Sequence, residues 1–213
     1  MGDPRLRGLY VITDGRSPNR AALTAQVRCA LAGGARIVQY RDKRPKALAQ
    51  RLDEARALSD LCRRADALLI VNDDVELAAR SEAHGVHLGR DDGELEAARA
   101  LLGPDAILGV SCYNDLQRGL EQARRGADYI AYGRFYPSRS KPDAVQAAPD
   151  LLCATRERIA TPIVAIGGIT PNNGGPLVGA GADMLAVIDA VFAQTDITAA
   201  CRRFQGCFDH LMA

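Results

Sequence analysis

Several short clusters in this sequence hold side chains with little to offer an apolar core and much to offer an anion or a hard cation. Gln39, Arg41 and Lys43 alternate along one stretch. On a strand, alternate side chains share a face, so an amide and two cations would converge on one ligand. Asn72-Asp73 and Asp91-Asp92 each follow an apolar run. Either pair could cap a helix, yet one carboxylate from each could also share a divalent cation, and Mg2+ typically combines a few carboxylates with substrate phosphates. Arg134, Ser138, Arg139, Ser140 and Lys141 crowd into one span. Hydroxyl, guanidinium and ammonium groups are what surround phosphate oxygens. Ser111 ends another run, Gly167-Gly168 offers bare backbone N–H groups, and Ile188-Asp189 closes the last run. Together these residue types point to a metal and diphosphate site.

Clusters so far apart in sequence need a scaffold that gathers them. Strand-like runs recur at residues 8–13, 36–41, 68–71, 85–89, 107–111, 128–133, 163–166 and 184–188, several of them apolar almost throughout, as strands covered on both faces should be. Helical patterns lie between. Leu48, Leu52, Ala55 and Cys62 mark the face of one; Ile197, Cys201, Phe204, Phe208 and Leu211 mark the last. Asn114 before Asp115, Thr170 before Pro171 and Asp196 before Ile197 read as helix starts. Eight strands alternating with eight helices predict an α/β fold, a single (β/α)8 barrel over residues 1–213, with a doubly wound open sheet as the competitor. In a barrel, sites lie at the C-terminal ends of the strands, which is where every cluster above falls. The connection from Arg134 to Gln146 is much longer than an ordinary βα loop and predicts a lid or binding loop.

The rest of the chain narrows the function by exclusion. A net charge of +1 on 213 residues, 47% of them apolar, offers no basic excess for nucleic acid. No apolar run approaches the roughly 20 residues of a membrane helix, and the N-terminal residues have no apolar signal core, so a cytoplasmic protein is expected. The six cysteines, at 29, 62, 112, 153, 201 and 207, form no CxxC pair and read as buried free thiols. His84 and His87 straddle a loop-to-strand boundary, which argues against a metal pair; His87 is expected inside the barrel and His210 on the surface of the last helix. No Ser-His-Asp arrangement can be assembled.

Along nearly its whole length the chain resembles the thiamine-phosphate synthase family. The resemblance is carried by residues 10–14 (YVITD), 39–43 (QYRDK), Asn72-Asp73, 85–89 (GVHLG), 109–111 (GVS), 138–141 (SRSK) and 165–169 (AIGGI). It implies condensation of a hydroxymethylpyrimidine diphosphate with a thiazole phosphate, giving thiamine phosphate and diphosphate, with Mg2+. Carried over, Gln39, Arg41, Lys43 and Asn72 would bind the pyrimidine diphosphate, and Asp73 and Asp92 would hold Mg2+. Ser111 would sit near the pyrimidine and diphosphate, with Lys141 on the departing diphosphate; Arg41, Lys43, Ser111 and Lys141 would be the catalytic set. Ser138, Ser140, Gly168, Ile188 and Asp189 would surround the thiazole phosphate. The implied partners are these small molecules, with no nucleic acid or membrane, and a homo-oligomer is compatible. Departures from the family pattern are serines at both lid hydroxyl positions, Arg90 in place of a frequent Gln, Asp189 in place of a frequent Ser, and Cys112-Tyr113 after Ser111. A thiazole tautomerase of the same superfamily, with a histidine at about the Tyr113 position, and a non-catalytic thiamine-phosphate-binding barrel are the alternatives; Tyr113 and the retained Asp73 and Asp92 argue against them.

Overall fold

Runs that are apolar at every position, not at alternate ones, need cover on both faces. In the computed structural model, which describes residues 4–90, 94–137 and 145–208, they have it. Strands β1 (Gly8–Ile12), β2 (Ala35–Tyr40), β3 (Leu68–Asn72), β4 (Gly85–Leu88), β5 (Ile107–Tyr113), β6 (Tyr129–Tyr132), β7 (Ile163–Ile166) and β8 (Met184–Val187) close into a barrel in sequence order, every pair parallel. The strand side chains divide by alternation. Tyr10, Ile12, Ile37, Ile70, Tyr129 and Val164 belong to the cluster that fills the barrel. Leu9, Val11, Val38, Leu69, Val71 and Val86 belong to the larger cluster that joins strands to helices.

The surrounding layer comprises α1 (Arg20–Ala32), α2 (Leu48–Arg64), α3 (Val75–Arg80), α4 (Leu95–Leu102), α5 (Leu116–Arg124), α6 (Asp150–Arg156), α7 (Gly175–Gly179), α8 (Asp189–Phe192) and α9 (Ile197–Arg203). The described residues thus hold nine helices, one more than the sequence pattern predicts, because a one-turn helix precedes α9. Asp196 caps α9 as expected, accepting from the Ala199 N–H. Two other predicted starts move. Asp115, not Asn114, caps α5 through the Arg118 N–H. The Thr170-Pro171 signal opens a turn, closed by the Asn173 side chain on the Thr170 N–H, and α7 begins only at Gly175. In α2, Leu52, Ala55 and Cys62 are buried as predicted while Leu48, at the helix's first position, is exposed.

All six cysteines are free. Cys62, Cys112, Cys201 and Cys207 are buried, but Cys29 and Cys153 are exposed, since each lies on the solvent side of its helix. Among the described residues no helix is long and apolar enough to cross a membrane.

Candidate active site

A pocket of about 300 Å³ opens where β2 and β3 end, lined by Tyr40, Asp42, Lys43, Arg51, Asn72, Asp73 and Asp74. Its first wall is the β2–α2 loop. β2 stops at Tyr40, so the alternation that would put Gln39, Arg41 and Lys43 on one face ends before the cations are reached. Gln39 is buried in the barrel and donates to Tyr10 Oη, whereas exposed Lys43 lines the pocket. Arg41 is held by its backbone: its N–H donates to Thr13 Oγ1 at 2.8 Å and its carbonyl accepts from that hydroxyl at 2.9 Å.

Beneath the pocket lies an ionic staple that sequence reasoning missed. Lys46 Nζ lies 2.6 Å from Asp42 Oδ2 and 2.7 Å from Glu54 Oε2, and Tyr40 Oη donates to Glu54 Oε2 at 2.7 Å. Asp42 also accepts from the Arg44 backbone and guanidinium. Burial pushes the Asp42 carboxyl up, but the bonds from Arg44 and Lys46 outweigh it and hold it well below the usual carboxylate range. Burial, then the Glu54 carboxylate, push the Tyr40 phenol far up. Lys46 is charged and sits in a loop, and Glu54 falls on a helix of otherwise ordinary amphipathic pattern. Read from sequence, both belong to solvent.

The second wall is the β3 end. Asp74, not Asp73, caps α3, accepting from the Leu77 N–H at 2.8 Å, and it pairs with Arg51 at 3.0 Å. Asp73 has φ 66°, and the Asp74 N–H donates across it to the Asn72 carbonyl at 2.8 Å. This is a γ-turn with a positive central φ, a rare and strained conformation of the kind found at binding and catalytic positions. The Asp73 N–H is tied to the His87 carbonyl of the next strand. Asp91 and Asp92, from the β4–α4 loop, lie outside the described residues.

On the far side of the mouth, Ser111 Oγ lies 2.9 Å from His87 Nε2, confirming His87 inside the barrel, and the Ser111 carbonyl accepts from Arg118. Two departures noted in the sequence meet here: the Arg90 guanidinium stands 4.8 Å from the centre of the Tyr113 ring, a cation–π contact. Burial pushes the neighbouring Cys112 thiol up to about 12, which keeps it in the thiol form at neutral pH. Gly167 (φ 104°) and Gly168 (φ 64°) both need glycine, and a Cβ on Gly168 would stand 2.3 Å from the Pro137 carbonyl oxygen. The root of the long loop is therefore seated on the β7 end. The loop's Ser138, Arg139, Ser140 and Lys141 lie outside the described residues. Ile188 leads into α8, and Asp189 Oδ1 stands 3.1 Å from Arg16 Nη1, near but poorly aligned for a hydrogen bond. That guanidinium offsets the negative charge of Asp189.

These features define a (β/α)8 barrel with a charged, oxygen-rich pocket at its C-terminal mouth. Residues 9–191 match the profile of the family described as thiamine monophosphate synthase. The chain is 47% identical over 209 residues to the thiamine-phosphate synthase of Aromatoleum aromaticum, covering 98% of this chain and all of that one. It is 48% identical over 205 residues to that of Thioalkalivibrio sulfidiphilus, covering 96% of this chain and 97% of the relative. The solved structure of the thiamine phosphate pyrophosphorylase from Pyrococcus furiosus superposes with a TM-score of 0.88 at 33% identity, over 99% of this chain and 100% of that one. The chain belongs to the thiamine monophosphate synthase family, whose enzymes are transferases.

Proposed function

We propose that this chain works in the cytoplasm and joins 4-amino-2-methyl-5-hydroxymethylpyrimidine diphosphate to a thiazole phosphate, releasing diphosphate and thiamine phosphate. The observation that carries the reading furthest is the pocket in which Lys43 faces Asn72 and Asp73. An ammonium, an amide and a carboxylate around one space suit a diphosphate and its counter-cation, and suit an apolar ligand poorly.

The residues fit Mg2+ by donor chemistry: Asp73 and Asn72 supply hard oxygens, and capping falls to Asp74. Asp73, with Asp92 from the neighbouring loop, would hold the ion, which when bound would neutralise charge on the diphosphate. The remaining work falls to the chain's own side chains. The C–O bond to the diphosphate breaks with its electron pair passing to oxygen, leaving a pyrimidine-stabilised carbocation. The thiazole nitrogen then donates its lone pair to form the C–N bond, and no proton needs to move. Such a reaction asks for stabilisation of a leaving anion and not for a nucleophile. Lys43 in the pocket, Arg41 on its clamped backbone and Lys141 in the lid supply the positive charge. Gln39 and Ser111 flank the pyrimidine, Ser138, Ser140, Gly168 and Ile188 the thiazole phosphate, and Arg16 screens Asp189.

The test is purified protein with both substrates and Mg2+, following thiamine phosphate and diphosphate as they appear in equal amounts. No product under saturating substrates would refute the reading, and full activity in EDTA would remove the metal from it. Lys141→Ala should lower kcat by more than it raises KM, because negative charge grows on the diphosphate in the transition state.

A further inference from the structure

Ser111 is the outer end of a polar chain that crosses the inside of the barrel. Gln39 Nε2 donates to Tyr10 Oη at 2.8 Å, and Tyr10 Oη lies 2.9 Å from Tyr129 Oη. Tyr129 Oη lies 3.0 Å from His87 Nδ1, and His87 Nε2 lies 2.9 Å from Ser111 Oγ. Five strands contribute one residue each, β2, β1, β6, β4 and β5 in that order. Both tyrosines are fully buried, and their rings pack edge to face at 6.0 Å. Gly109 makes the room, since a Cβ there would stand 1.9 Å from the Tyr129 ring, and His87 stacks on that ring at 5.6 Å.

Packing alone does not call for these hydroxyls. Phenylalanine would fill the same volume, and each buried hydroxyl costs free energy unless it is bonded. What the hydroxyls add is direction. The Gln39 amide N–H makes the Tyr10 oxygen an acceptor, so the Tyr10 proton goes on to Tyr129. Continued in that direction, Tyr129 would donate to His87 Nδ1 and His87 Nε2 would donate to Ser111 Oγ, the roles of the two ring nitrogens being set by the tautomer. The Ser111 hydroxyl, its oxygen then engaged from inside the barrel, would have its own proton to offer at the mouth. Run backwards, the chain would turn the Tyr10 proton toward the Gln39 NH2 group, leaving a buried donor without an acceptor.

We propose that Gln39, Tyr10, Tyr129 and His87 form a one-way hydrogen-bond relay that fixes Ser111 as a donor to the ligand, with His87 a positioning residue that acts through Ser111. The ligand part of this rests on the function proposed above: the atom that accepts the Ser111 hydrogen bond is an oxygen of the departing diphosphate, which gains negative charge as the C–O bond breaks. The relay therefore contributes more in the transition state than in the ground state, and its loss falls on kcat more than on KM.

Two measurements test it. In protein labelled with 15N-histidine, in mildly alkaline buffer and without substrate, His87 should resonate as the Nε2–H tautomer; the Nδ1–H tautomer would overturn the relay. The second is a double-mutant cycle on kcat with Ser111→Ala, His87→Asn and the double variant, thermal unfolding being followed for each. Ser111→Ala and His87→Asn should each cost about tenfold to a hundredfold, and the double variant should be no slower than Ser111→Ala alone. His87→Gln, whose amide nitrogen reaches the Nε2 position, should recover most of the loss, whereas Asn reaches only the Nδ1 position. Tyr129→Phe, which preserves volume, should lower kcat should the histidine variants fold poorly. Independent, multiplying losses in the cycle, or a normal kcat in Tyr129→Phe, would overturn the proposal. If the wild-type protein makes no thiamine phosphate, the functional reading fails instead, and the tautomer still decides the relay.

Discussion

Asp73 and Asp74 are neighbours of the same chemistry whose backbones give them opposite duties. Asp74 has an extended backbone and its carboxylate closes the first turn of α3. Asp73 is held at φ 66° with its carboxylate on the pocket. A left-handed conformation costs a non-glycine residue about 1–2 kcal/mol, so Asp73 is retained at some expense to stability. Asp73→Gly should accordingly abolish most of the activity while leaving unfolding free energy unchanged or raised by up to about 1 kcal/mol. Asp74→Ala should do the reverse, losing about 1 kcal/mol of stability and keeping kcat. Urea denaturation beside steady-state rates checks both, and an Asp73→Gly protein with normal turnover would take the carboxylate out of the site. The sequence marks Asn72-Asp73 as either a cap or a cation site and leaves Asp74, the residue that caps, without a role. Asn and Asp are favoured equally by caps, turns and metals, and the γ-turn that separates them has no residue signature of its own.

At the scale of elements, the β2–α2 loop is the part whose workings were least legible. Alternation groups Gln39, Arg41 and Lys43, yet it presumes a strand that ends at Tyr40. What shapes the loop is the Asp42–Lys46–Glu54 staple, formed between a loop and a helix face whose contact only the folded barrel creates. Glu54 is 1% exposed, and removing one charge from so buried a pair should cost about 3 kcal/mol. Glu54→Gln is therefore expected to destabilise the protein by that order and to raise KM for the diphosphate substrate as the Arg41 and Lys43 backbone loosens. The acid limb carries its own signature. The folded Asp42 carboxyl lies below its unfolded value of about 3.9. Its contribution is thus fully present above about pH 4 and is lost as pH falls through the lower folded value. Asp42→Asn should be less stable than wild type at neutral pH, with the difference shrinking below about pH 4. A constant difference across denaturation curves taken from neutral to strongly acid pH would show that the staple does not depend on this carboxylate.

The whole molecule divides along the barrel axis. Its fold was legible because parallel strands buried on both faces leave an almost uninterrupted apolar record. The chemistry was legible to the extent that it sits at strand ends, which the fold designates in advance. The interior polar relay escaped because Tyr10 and Tyr129 look in sequence like any aromatic core residue, and only closure brings them within 2.9 Å of each other. The two ends of the same cavity consequently have different compositions. Toward the mouth stand Gln39, His87 and Ser111; toward the opposite end stand Leu6, just before β1, with Leu68, Ile107 and Met184, the first residues of β3, β5 and β8. Among the described residues no side-chain hydrogen bond links this apolar plug to the pocket, so the two ends should fail separately when cut. Leu6 is 3% exposed, and Leu6→Ala should cost about 2–5 kcal/mol through the cavity it leaves. At a temperature where the variant remains folded, kcat and KM should match wild type, because the void opens at the end of the barrel away from the pocket. His87→Asn makes the complementary cut, expected to lower kcat far more than stability. A Leu6→Ala protein that unfolds early and also turns over slowly while folded would show that packing at the closed end governs geometry at the mouth, and the barrel would have to be treated as one mechanical unit.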